Sequence, residues 1–194
     1  MFAIGFSTSY LFSLPIGVLN TSTAQISITD GLKKGAYFAV AAALVESVQV
    51  FIAFVLTREL QQIEVVERFI QLVAIGLFIY LSIYYWRKKP TNQLEKGSLK
   101  TVYSGVKLSM MNVMAIPFWV AYFKLINVNL VELSFQDLIF NISGIFAGTV
   151  LALMTYGLLG RVMKQRLFQY AIYFNKTISI IFLVSAFIIL YQLF

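Results

Sequence analysis

The chain has 194 residues, 60% of them hydrophobic and 12% charged, where an ordinary globular domain carries roughly a quarter charged. With a mean hydropathy of +0.83 and neither Cys nor His, it exceeds what one soluble core can hide and excludes disorder, a coiled coil, a disulfide scaffold, thiol redox chemistry, Cys/His zinc sites and imidazole catalysis. The net charge of +7 is scattered between apolar runs, so it reports membrane topology and not a nucleic-acid partner.

A hydrocarbon core of roughly 30 Å needs about 20 helical residues, and six apolar runs approach that length. They predict an all-α, polytopic membrane protein with six transmembrane helices and no cofactor. The first run, from Ala3 to Ile28, is interrupted at Pro15-Ile16-Gly17. A short turn, Asp30 to Gly35, leads to the second, Ala36 to Leu56. Arg58 to Arg68 follows, with Glu59, Glu64 and Glu67 expected on a solvated outer loop. The third run is Phe69 to Trp86. The longest polar stretch, Arg87 to Val106, then divides the chain. The fourth run, Lys107 to Ile126, is interrupted between Asn112 and Pro117, and the fifth is Leu138 to Leu159. Arg161 to Lys176 mixes basic and apolar residues and predicts an interfacial helix leading into the sixth run, Thr177 to Leu193.

Twelve of the fifteen Lys and Arg residues fall on one side of this arrangement. The positive-inside rule makes that side cytoplasmic and turns both termini outward. The first run lacks a basic leader and continues past any plausible cleavage point, so no cleaved signal peptide is expected. The chain reads as one membrane domain in two halves, residues 1–86 and 107–194, joined by a basic cytoplasmic loop, 87–106. Three spans is an odd number, so the halves insert with opposite orientations. The first span of each half is the interrupted one, and paired broken helices point to a transporter binding site.

Glu46, near the middle of the second span, is the most informative residue. An ionised acid there costs roughly 2.5–3.5 kcal/mol on insertion scales, so it should face the bundle interior. Gln49 shares its face at i+3. No Lys or Arg is placed deep in a span to pair with Glu46, which favours a coupling or amine-binding carboxylate over a buried structural acid. Asn20, Thr23 and Ser27 form one polar stripe after the first break, with Thr21 and Gln25 beside it. They read either as a hydrated path or as interhelical hydrogen bonding. In the fifth span Gly144 and Gly148 predict close helix packing, and Asn141, on the same stripe, remains a cavity candidate. The candidate path therefore comprises Pro15, Gly17, Asn20, Gln25, Glu46, Gln49, Asn112, Pro117 and Asn141.

Leu14-Pro15-Ile16-Gly17-Val18-Leu19-Asn20, then Asp30-Gly31-Leu32-Lys33-Lys34-Gly35 and a small-residue-rich second span, resembles the LysE-type amino-acid exporter family. That family has Pro-Gly-Pro in its first span, a Gly-basic-Gly connection and Asn-Pro-Lys-Ala opening its fourth. Here the first motif keeps Pro15, carries its glycine one position late at Gly17 and lacks the second proline. Asn112-Val113-Met114-Ala115 keeps the Asn and Ala and lacks the Pro and Lys. The resemblance implies a multi-pass protein of the cell (inner) membrane that exports amino acids or related small polar solutes with a coupling ion, proton or sodium. A homo-oligomer is compatible with it. The other class open to the sequence is a non-transporting membrane scaffold or assembly factor. Without a nucleotide-binding loop, paired intramembrane acids or a metal cluster, an enzyme is not expected.

Overall fold

The computed structural model describes residues 1–15, 17–60, 64–88, 101–112, 115–126, 133–162 and 167–193. These residues form eight α-helices: α1 Phe2–Phe12, α2 Val18–Thr29, α3 Leu32–Leu60, α4 Glu64–Arg87, α5 Thr101–Met110, α6 Ala115–Leu125, α7 Phe135–Val162 and α8 Leu167–Gln192. Four of them, α3, α4, α7 and α8, are long and apolar enough to cross a membrane. The α5–α6 pair counts as a fifth span bent by 68°. Their exposed faces are apolar, as at Leu44, Val48 and Val55 on α3 and Ile180, Val184 and Phe187 on α8, because lipid and not water surrounds them.

The first span, expected to be interrupted at Pro15 to Gly17, consists of two helices, α1 and α2, on either side of those residues. α1 is apolar but only 11 residues long, and α2 carries Asn20, Thr21, Ser22, Thr23, Gln25 and Ser27, too many polar groups for a lipid-facing helix. Between them Pro15 lacks an N–H, and Gly17 is extended at φ −125°, ψ −177°. The carbonyls freed by the break find partners within the protein. Asn20 Nδ2 donates to Ser13 O at 2.7 Å, and the Tyr156 hydroxyl of α7 donates to Leu14 O.

Three expectations need correction. Pro117 does not break the fourth span. It sits in the first turn of α6, where its missing N–H costs nothing, and the break falls upstream, after Met110. The polar divider is shorter than expected, since residues 101–106 already belong to α5; residues 89–100 lie outside the described residues. Among the described residues the expected interfacial helix is not separate from the last span. Residues 163–166 lie outside the described residues, and from Leu167 the helix runs without interruption into α8, since neither Gly nor Pro occurs between them.

α3 and α7 meet at the centre, with α1 and α2 packed on α7 and α5 and α6 packed on α3. Glycines permit the closest of these approaches. A Cβ at Gly144 or Gly148 of α7 would fall on the backbone of Phe2 or Phe6 in α1, the tight packing that their spacing predicts. α4 lies along α8, where Ser179 Oγ donates to Ser82 O at 2.7 Å.

Candidate functional site

A cavity of about 480 Å³ opens where both helix breaks meet the middle of α3. Its polar wall is formed by Ser9 of α1, Asn20 of α2, Glu46 and Gln49 of α3, Ser109 of α5 and Thr149 of α7. Its apolar wall is built from Phe12, Leu81, Tyr85, Phe118 and Phe182. That wall is one packed cluster. The rings of Phe12 and Phe118, and of Phe12 and Phe182, lie 5.1 Å apart centre to centre.

Glu46 is half-buried, with its open side towards the cavity. Thr149 Oγ1 donates to Glu46 Oε2 at 2.6 Å, and Ser9 Oγ lies 2.6 Å from the same Thr149 oxygen. Thr149 has one hydroxyl proton, and Ile145 O, 3.0 Å away, is its alternative acceptor. When the proton points to Glu46, Ser9 is left to donate to Thr149. The carboxyl is thus held by a chain of hydroxyls linking α3, α7 and α1. The Trp119 indole lies beside the same carboxyl, but its buried Nε1 has no partner in hydrogen-bonding geometry. Gln49 Nε2 donates to Ser109 O at 3.2 Å, and Ser109 Oγ donates to Ala42 O at 3.2 Å, so α5 is stitched to α3 beside the cavity. The Gln49 Oε1 has no partner.

Of the residues singled out from sequence, Pro15, Gly17, Asn20, Glu46, Gln49 and Asn112 line the cavity. Gln25, Pro117 and Asn141 are outside its lining. Pro117 is exposed, and Asn141 is spent on packing, its Nδ2 donating to the Tyr122 hydroxyl at 3.0 Å. Ser9, Ser109, Thr149, Trp119 and the aromatic wall were not legible, because single hydroxyls and aromatics in apolar runs look like ordinary packing. Lys124, in the last turn of α6, is buried and donates to Glu67 Oε1 of α4 at 2.9 Å. Glu67 is therefore a helical ion-pair partner and not a loop residue, because a cation buried in α6 needs an acid to offset its desolvation. Among the described residues the cavity lining holds one carboxylate and no Lys or Arg, and no group of three potential metal ligands occurs.

Membrane-length helices around a cavity at two helix breaks define a polytopic transport protein. The chain belongs to the LysE type translocator family, whose model matches residues 10–193. It is accordingly a multi-pass membrane protein of an amino-acid and small-solute efflux class, and not an enzyme. No curated protein and no solved structure matches it.

Proposed function

We propose that the protein exports amino acids or related small polar solutes against an inward ion gradient, by alternating access of two three-span halves around the cavity. The observation that carries this reading is Glu46, the cavity's carboxylate among the described residues, set where both interrupted helices converge. A carboxyl can hold a proton or a substrate ammonium, but not both at full strength, since each neutralises the charge that attracts the other. Exclusive occupancy of that kind gives antiport.

The helix pairing supports the division into halves 1–86 and 107–194. Exchanging α1–α4 with α5–α8 turns the packing of α1 and α2 on α7 into that of α5 and α6 on α3, and leaves α3 against α7 and α4 against α8 unchanged, whereas α2 against α3 and α4 against α6 have no counterpart of similar extent among the described residues. α1–α2 and α5–α6 then count as interrupted first and fourth spans, six in all. Reciprocal packing of this kind suits a rocking motion about a central site.

The test is efflux from cells or vesicles preloaded with amino acids under an imposed proton or sodium gradient. Glu46→Gln keeps size and hydrogen-bonding capacity and removes the titratable group. It should fold normally and lose gradient-driven efflux by about tenfold or more, the scale of one charge-assisted interaction of ~1.5–3 kcal/mol. Parent-like flux with parent-like pH dependence in this variant rejects the coupling role.

A further inference from the structure

We propose that the cavity takes an α-amino acid with a large, uncharged, apolar side chain: ammonium at Glu46 and Gln49, carboxylate at the start of α2, side chain on the aromatic wall. The inference rests on the transporter reading and adds the class of solute.

The ammonium site follows from the acceptors. Glu46 and Gln49 stand one turn apart on α3, on the same face. Gln49 is only 9% exposed, yet its Oε1 accepts no hydrogen bond. An acceptor buried without a partner costs about 1–3 kcal/mol, and a cationic donor beside a carboxylate relieves that cost.

The carboxylate site follows from the donors. Since no Lys or Arg lines the cavity among the described residues, the available positive potential is that of the helix breaks. Gly17, Val18, Leu19 and Asn20 all line the cavity. Among the described residues the first bond of α2 runs from Thr21 N to Gly17 O, and no side chain caps its N-terminus. Among the described residues no acceptor is found for the N–H groups of Val18, Leu19 and Asn20, which lie at the cavity, and N–H groups at helix starts bind carboxylates.

The side-chain site follows from the apolar wall, where Phe12, Phe118 and Phe182 present carbon and no acid. A second cationic group would be desolvated there without a counter-charge. The volume of about 480 Å³ lies within the roughly 300–1,000 Å³ of small-molecule sites.

The experiment uses the purified full chain in vesicles, preloaded separately with labelled L-leucine, L-phenylalanine, L-alanine, L-lysine, N-acetylleucine and 3-methylbutylamine. Leucine and phenylalanine should be exported with a kcat/KM about tenfold or more above alanine, the worth of a few buried methylenes. They should exceed lysine by at least as much. N-acetylleucine, which lacks the cation, and 3-methylbutylamine, which lacks the carboxylate, should each fall about tenfold or more below leucine. Lysine or alanine transported as well as leucine overturns the side-chain assignment and leaves the transporter reading standing. Parity of N-acetylleucine with leucine overturns the ammonium site, and parity of the amine overturns the carboxylate site. Export of none of the six overturns this proposal and counts against amino-acid transport as well.

Discussion

Lys124 shows how far a single charge depends on its surroundings. Its side chain is 4% exposed and its partner Glu67 is 32% exposed, so the two ends of the ion pair are unequal. Removing the acid strands a cation among apolar neighbours, whereas removing the lysine leaves an acid that water still reaches. Glu67→Gln should therefore lower the unfolding midpoint in detergent, by about 1–3 kcal/mol after allowance for solvent at Glu67. Lys124→Met should cost less, and the double variant should recover most of the loss. Equal destabilisation by the two single variants would contradict the argument. Glu46 could be read from the sequence because an acid in mid-span is too costly to be incidental. Its partners Thr149 and Ser9 could not, since hydroxyls in apolar helices commonly bond back to their own turn, as Thr149 can at Ile145 O. Asn20 was legible as a buried polar group, but its use in supporting the Ser13 carbonyl depends on chain geometry beyond the break.

Among the elements, α1 depends most on close approach. It lies against Gly144 and Gly148 and delivers both Ser9 and Phe12 to the cavity lining. Gly144→Val should push α1 outward, cost about 1–3 kcal/mol through overpacking, and reduce efflux by disturbing both walls. Gly76→Ala, on α4 with nothing within 4 Å of the added methyl, is the control and should behave like the parent in midpoint and flux. A Gly144→Val protein with normal flux would show that the α1 position does not matter to the site. The long helices α3, α4, α7 and α8 were legible as runs of apolar residues. The first break was legible because Pro15 and Gly17 stand together. The second was legible at Asn112, between α5 and α6, but the expected interruption extended too far, to Pro117, which lies in the first turn of α6, where a proline disturbs nothing.

For the whole molecule, the distribution of basic residues predicts that epitope tags at either end label from outside intact cells. Labelling only after permeabilisation would invert the orientation. The connections should also differ in tolerance. Gly31 has φ 96°, which favours glycine, and a Cβ at Gly35 would collide with Ser27 of α2. A four-residue insertion between Asp30 and Leu32 should abolish folded protein, while the same insertion within residues 92–98 should be tolerated, as in polar connecting segments generally. Equal yields from both would refute this. The division into halves remains a proposal from the odd number of expected spans, and the packing that supports it depends on contacts between residues far apart in sequence.

A single carboxylate among the described lining residues would also set a ceiling on the proposed antiport. If the proposed antiport is coupled to protons, one titratable group per cycle exchanges one proton per solute, and a zwitterion would leave with one net charge moving inward. Each 100 mV of membrane potential then supplies about 2.3 kcal/mol, equivalent to roughly a fiftyfold concentration ratio of solute. The protein would work as a relief valve that holds a bounded excess, and its null-flux potential should shift by about 59 mV for each tenfold change in solute ratio.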